Sequence, residues 1–146
     1  MKAAVYSKAG SVRVLEIQTT EQPIPNDNEV VIRVHAASVN PLDWRMKKQR
    51  PGVDVAGEIV VVGARVTQFK PGDAVFGICK GAFAEYACAP EARVIAKPES
   101  LSFDQAAAVP IAGLTALQGL RDKGHLCKPR PDNELGNDSL PCPLSQ

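Results

Sequence analysis

From Glu29 to Val39 apolar residues recur at every second place. Val30, Ile32, Val34 and Ala36 fall on one face, and Val31, Arg33, His35 and Ala37 on the other. A period of two is the signature of a half-buried β-strand. An Asn40-Pro41 turn and a short polar segment follow. Then comes Asp54 to Val62, the most apolar strand of the chain, interrupted by Gly57 and closed by Gly63. A glycine inside such a strand marks a bulge or a close approach of another backbone. The turn between the two strands is expected to gather Asn40, Asp43, Trp44 and Arg45 at one mouth of a β-rich domain. Loops carried on a rigid sheet are where chemistry concentrates.

The rest of the chain fits around that pair. Lys2 to Ser7 and Val12 to Gln18 are Val- and Ile-rich, with Ala9-Gly10 between them as a hairpin turn. Residues 23–28, PIPNDN, form a loop by composition. Pro41 to Lys48 has the makings of one or two helical turns, with Asn40 as cap and Pro41 at the first helical position. Pro71-Gly72-Asp73 turns into a strand from Ala74 to Ile78. A strand pair, Phe83 to Ala89 and Arg93 to Lys97, is expected to break at Pro90. Many short strands with turns between them predict a barrel or sandwich. The pattern then becomes helical. Ser102 and Gln105 are spaced as a capping box for a helix from Phe103 to Ala108. Pro110 is expected to interrupt it, before a second helix from Ile111 to Lys123 that carries Leu114, Leu117 and Leu120 and stops at Gly124. The final stretch, 126–146, holds Pro129, Pro131, Pro141 and Pro143, no aromatic residue and no periodicity, so disorder is expected there. The domain organisation is therefore 1–125 as one folded domain and 126–146 as a Pro-rich disordered tail. By composition that tail reads as a linker, a regulatory tail or sequence foreign to the fold.

Composition removes some functions. A net charge of +1 offers no electrostatic reason to bind nucleic acid or an anionic membrane. No apolar run is long enough to span a bilayer. Cys79, Cys88, Cys127 and Cys142 never fall at C-x-x-C spacing, so they read as free thiols of a reducing compartment. The opening MKAAVYSKAG lacks the apolar region of a secretory signal, and a cytoplasmic location is expected.

Five stretches occur in order: SVNPLDWRM, PGVDVAGEIVVVG, FKPGDAVFG, GAFAEYA and AAAVPIAGLTALQGL. Together they resemble the medium-chain dehydrogenase/reductase superfamily, in its zinc-independent quinone oxidoreductase and enone reductase branch. The resemblance runs from Met1 to about His125. It implies a mainly β fold with short helices: a GroES-like, partly closed β-barrel that serves as catalytic domain. It also implies a following Rossmann domain, with NADPH bound between the two. The sequence departs from this pattern twice. The segment between Trp44 and Pro51 is short for the family. After Gly124, where a strand and a Gly-rich phosphate loop are expected, there is the Pro-rich tail. No G-x-G-x-x-G occurs anywhere. Set against the resemblance, the tail suggests a truncated or mis-spliced product or a frame-shifted gene model.

The resemblance also assigns roles. Zinc-dependent relatives place cysteine where Asn40 stands and histidine where Val53 stands, so no zinc is expected. Without a metal, charge growing on a substrate carbonyl oxygen needs hydrogen-bond donors. The amide NH₂ of Asn40 and the cation of Arg45 are the candidates for catalysis. Asn40, Asp43, Trp44 and Thr115 resemble positions at the nicotinamide end of the cofactor. The plainer roles are a turn for Asn40, a solvated charge for Arg45, a backbone lock for Asp43, rim packing for Trp44, a helix hydroxyl for Thr115 and strand packing for Tyr86.

Three functions remain open. The chain is the catalytic-domain fragment of an NADPH-dependent reductase of small quinones or enones, inactive alone. Or it is a non-catalytic GroES-like binding or regulatory module, pairing with a full-length relative. Or it is a truncated product with no function. The apolar helix from Ile111 to Lys123 makes self-association an expectation of all three.

Overall fold

The computed structural model describes residues 1–6, 15–45 and 50–124, the side chain of Trp44 excepted. Two compact units are distinguished, Met1–Ala112 and Gly113–Gln146. The first holds all the strands. In order these are β1 (Lys2–Tyr6), β2 (Leu15–Thr19), β3 (Glu29–Ala36), β4 (Asp54–Val62), β5 (Ala74–Ile78), β6 (Tyr86–Pro90) and β7 (Val94–Ala96). Helix α1 (Pro41–Arg45) lies between β3 and β4, and α2 (Phe103–Ala107) follows β7. Helix α3 begins at Pro110 and runs to Leu117, continuing as π-helix over Gln118–Lys123. Among the described residues no helix is long and apolar enough to cross a membrane.

Strands β1 and β2 form one sheet, and the other five form a second in the order β6-β3-β4-β5-β7. Every pairing among the described residues is antiparallel. The sheets do not close on themselves. Residues 83–85 join them: Ala4 N–H donates to the Phe83 carbonyl at 2.8 Å, Glu85 N–H to that of Lys2 at 3.1 Å, and Val34 N–H to that of Glu85 at 2.9 Å. The result is a mainly β, partly closed domain with few short helices.

The β3–β4 pair is the centre of the domain, and its register slips twice. Val31 faces Val61 while Ile32 faces Ile59, so Val60 is an extra residue in β4. Val34 faces Gly57 while Ala36 faces Ala56, so His35 is an extra residue in β3. Each bulge reverses which face the following side chains occupy. Hence Val30, Ile32 and Val34 pack in one core with Val55, Ile59 and Val75, but beyond the bulge it is Ala37 that joins them. Ala36 packs instead with Ala56, Phe76 and the α2 residues Ala106 and Ala107. The simple alternation expected for Glu29–Val39 therefore holds only as far as Val34. The exposed ring of the extra residue, His35, stacks on Phe103 at 4.3 Å between centroids, which ties α2 to β3.

Gly57 is a close approach, as expected: a Cβ there would collide with the Arg33 carbonyl oxygen across the β3–β4 pair. The capping box of α2 is present, with Gln105 N–H donating to Ser102 Oγ at 3.1 Å and Ser102 N–H to Gln105 Oε1 at 2.9 Å.

Other expectations shift. The chain breaks at Pro90 as expected, the last residue of β6 and paired with Glu29, but β6 and β7 do not pair with each other: they are the two opposite edges of the sheet, and an edge strand can spare the N–H that proline lacks. The expected strand start at Phe83 moves to Tyr86, since residues 83–85 serve the sheet junction instead. A 3-10 turn over Glu91–Arg93 shortens the following strand to β7. Pro110 opens α3 rather than interrupting a helix; proline suits a first turn, where its missing N–H has no partner to lose. The Ala9-Gly10 turn, the end of the Pro41–Lys48 helix and the 126–146 tail lie outside the described residues.

Candidate functional site

Asp54 is the first residue of β4 and is completely buried. A carboxylate removed from water must be hydrogen-bonded. Ser38 Oγ donates to Asp54 Oδ2 at 2.8 Å, and Asn40 Nδ2 donates to the same oxygen at 2.9 Å. The backbone N–H of Ile111, the second residue of α3, reaches Oδ1 and Oδ2 at 3.2 and 3.3 Å. Asn40 Nδ2 also donates to Ser38 Oγ at 3.1 Å. Asp54 thus binds three points of chain together: the end of the β3 loop, the start of β4 and the first turn of α3. A negative charge beside that first turn is also favoured by the helix dipole.

This network orients Asn40. A carboxylate only accepts, so the amide must turn its NH₂ toward Asp54. Both of its donor directions are then engaged, on Asp54 and on Ser38. Among the described residues its carbonyl Oδ1 is left as the uncommitted half, and that half is an acceptor.

Helix α1 is held from its other side. Asp43, buried in its first turn, accepts from the backbone N–H of Asn40 at 2.7 Å through Oδ2 and from that of Gly52 at 3.2 Å through Oδ1. The third helical residue thus reaches back to the residue before the helix, one half of a capping box. Asn40 stands directly before α1, its carbonyl accepting from Asp43 N–H at 3.0 Å, while its side-chain NH₂ is turned toward Asp54. Asp43 fastens α1 to the strip before β4.

The structure therefore brings Asn40 and Asp43 into one polar cluster with Ser38 and Asp54. Arg45 ends α1, exposed and without an ion pair among the described residues. The Trp44 side chain lies outside the described residues. Thr115 is on α3, in the second compact unit. Val53 lines a hollow of about 180 Å³ together with Asp43 and Ile111. Tyr86 lines a neighbouring hollow of about 190 Å³. Among the described residues no three His, Cys, Asp or Glu side chains gather as a metal site would require.

Of the cysteines, Cys79 and Cys88 fall among the described residues and both are free. Burial pushes the Cys79 thiol up to about 12, with help from the charges of Asp54, Cys88 and Asp43. Burial and then Glu29 raise Cys88, while Arg50 opposes them. Both thiols are therefore held toward the protonated form, and Cys79 is the more deeply buried of the two.

Asp54 and Ser38 were missed in the sequence. The signal was there: aspartate has poor β-propensity, so one heading the most apolar strand needs dedicated donors.

Residues 26–99 match the alcohol dehydrogenase GroES-like domain. Among curated relatives, the chloroplast envelope quinone oxidoreductase homolog of Arabidopsis thaliana is 38% identical, with 86% of this chain and 44% of that protein aligned. The quinone oxidoreductase of Sus scrofa is 40% identical, over 82% of this chain and 40% of its own length. Among solved structures, the quinone oxidoreductase from Coxiella burnetii superposes with a TM-score of 0.79 at 37% identity, over 84% of this chain and 44% of that one. A mycobacterial protein complexed with NADPH gives 0.77 at 29% identity, over 83% and 41%. The chain belongs to the GroES-like domain family of the medium-chain dehydrogenase/reductase superfamily, in its quinone oxidoreductase-like branch. It spans less than half the length of the curated relatives it matches.

Proposed function

We propose that these residues are the substrate-side part of an NADPH-dependent, zinc-independent reductase of small quinones or enones. Residues 1–125 act as its GroES-like domain, and 126–146 as a tail outside it. The observation that carries the reading is the Ser38–Asn40–Asp43–Asp54 cluster, set on a domain that aligns with quinone oxidoreductases.

The cofactor's two ends fare differently against these residues. A pyrophosphate is held by a Gly-rich turn opening a helix after a parallel strand. Every described strand pairing is antiparallel, and none of the glycines with positive φ (Gly52, Gly72, Gly77, Gly81) opens a helix. The described residues do not fit that part of NADPH, so no step is derived through it. What they contribute is orientation. Asp54 fixes the Asn40 amide with Oδ1 free to accept from a hydroxyl or amide group, and Asp43 fixes the loop that carries Trp44 and Arg45. A role for Asn40 as donor to a developing oxyanion requires the amide to leave Asp54. Arg45, exposed at the end of α1 and without an ion pair among the described residues, is the source of positive charge this reading assigns.

The 146 residues alone are expected not to turn over NADPH. A few hydrogen bonds of about 1 kcal/mol each do not offset the several kcal/mol of freedom lost by a bound dinucleotide. Titration of NADPH by fluorescence, beside assays with a simple quinone and an enone, tests this. Saturable micromolar binding with steady oxidation would refute it. Activity that appears only on adding a separately made dinucleotide-binding domain supports it.

A further inference from the structure

Strand β2 is the edge of its sheet, and the ladder it forms with β1 fixes where its backbone groups point. The Met1 ammonium donates to the Thr20 carbonyl at 2.7 Å, and Thr20 N–H donates to the Met1 carbonyl at 2.8 Å. Hydrogen-bonded and non-bonded pairs alternate along an antiparallel ladder. With Met1 bonded to Thr20, the register makes Ala3–Gln18 and Val5–Glu16 bonded pairs and Ala4–Ile17 a non-bonded one. The junction agrees, because Ala4 N–H and the Lys2 carbonyl are turned to residues 83–85. Leu15, Ile17 and Thr19 therefore direct their N–H and C=O groups away from β1, and among the described residues no strand receives them.

The edges of the five-stranded sheet are blunted. Strand β6 ends at Pro90, and β7 is three residues long and followed by Lys97-Pro98. Strand β2 has no such device. LEIQT holds no proline, lysine or glycine, and its pairing with β1 runs without a register shift. It is exposed along its length, with Ile17 70% and Leu15 48% accessible. An open apolar edge without a bulge is a template for another strand.

The residues of β2 select which strand. Turned antiparallel about Ile17, LEIQT matches itself. Ile17 faces the partner's Ile17, and Leu15 faces the partner's Thr19. These are the positions whose backbone groups point outward, so each of those groups finds a mate in this register. On the opposite face Glu16 comes against the partner's Gln18, a carboxylate against an amide donor. The two side chains already bond within one chain, Gln18 Nε2 donating to Glu16 Oε2 at 3.3 Å. Sliding the strands until the pair centres on Glu16 would set two carboxylates face to face, which is destabilising.

We propose that a second copy of this chain docks here, β2 against β2 about a two-fold axis at Ile17, so that the two β1–β2 sheets become one continuous sheet. A two-fold axis closes the assembly at a dimer. The proposal is independent of the hydride-transfer reading, because it needs neither cofactor nor turnover.

The test combines sedimentation velocity of the full chain, at concentrations up to about 1 mM, with amide hydrogen exchange followed by NMR. A monomer–dimer equilibrium is expected. As the dimer forms, the amides of Leu15, Ile17 and Thr19 should gain protection, while those of Glu16 and Gln18, already bonded to β1, should not change. Ile17→Lys, at an exposed position, is expected to abolish the dimer and leave the far-UV circular dichroism as it was. Gln18→Glu sets like charges opposite each other at two symmetric places and is expected to weaken the dimer about tenfold; Gln18→Lys should tighten it by about as much. A chain that stays monomeric throughout would overturn the proposal, whatever other strand can take the edge. So would a dimer that survives Ile17→Lys, one that dissolves instead on Leu117→Glu in α3, or one that responds alike to both Gln18 variants.

Discussion

Replacing Asp54 by alanine removes the acceptor of three donors at once: the Ser38 hydroxyl, the Asn40 amide and the Ile111 N–H. A hydrogen bond to a charged group is worth about 1.5–3 kcal/mol. All three donors sit in partly buried bonds, so some regain water and the low end of that range applies. Removing a buried carboxylate also relieves its desolvation cost, which offsets part of the loss. The expected net destabilisation is about 3 kcal/mol. With a urea m-value of about 1–3 kcal/mol/M, the unfolding midpoint moves down by roughly 1–3 M. The thermal midpoint falls by about 10 °C for a domain of this size. Asp54→Asn keeps the shape and one acceptor oxygen but turns an NH₂ against donors, so about half the loss is expected. Ser38→Ala removes one of the three donors and should cost about 1 kcal/mol. The assay is urea unfolding followed by far-UV circular dichroism, with the Asn40 side-chain NH₂ resonances as a local probe. If Asp54→Ala lost less than about 0.5 kcal/mol, or left those resonances in place, Asp54 would not be the anchor of this loop.

Two further outcomes follow from packing and burial. Gly57→Ala drives a methyl into the Arg33 carbonyl oxygen and to 2.8 Å from Ile32 Cγ2, so β3 and β4 must separate; a loss of about 2–3 kcal/mol in urea unfolding is expected, and wild-type stability would refute the contact. The Cys79 thiol, raised from 9.0 to about 12 by burial, stays protonated in the fold after the unfolded chain has begun to ionise. Its contribution is therefore intact below about pH 9 and is lost as the pH rises toward 12, at up to ~1.4 kcal/mol per pH unit. Alkylation at pH 8 read by peptide mass spectrometry should modify Cys88 well before Cys79; equal rates would contradict the burial.

Much of this fold was legible in the sequence because it rests on local rules. Valine-rich alternation placed β3 and β4, the Ser102–Gln105 spacing gave the capping box, and Gly57 announced a close approach. What escaped depends on partners distant in sequence. The extra residues Val60 and His35 are ordinary strand residues by composition, and only the mating strand shows that they are unpaired in register. Asn40 and Asp43 were legible as members of one loop. The orientation of the Asn40 amide was not, because Asp54 sets it from fourteen residues away. The helix Ile111–Lys123 was found by spacing, but nothing in its residues foretold the π-turn over Gln118–Lys123.

The junction at residues 83–85 bears on the order in which this chain can assemble. Strands β3, β4 and β5 are neighbours in both sequence and sheet, so they can pair as soon as each is made. Strand β1 is held to the main sheet through Phe83 and Glu85, eighty-three residues after Lys2 in the latter case. At about 5–20 residues per second of synthesis, the first strand waits roughly 4–17 s for the segment that docks it. Its strand partner β2, exposed along its whole length even in the finished fold, is by contrast close by in sequence. Strand β2 covers one edge of β1, while the other edge, where Lys2 and Ala4 bond to residues 83–85, stays open until the junction arrives, and contacts this distant in sequence are the slow ones to close.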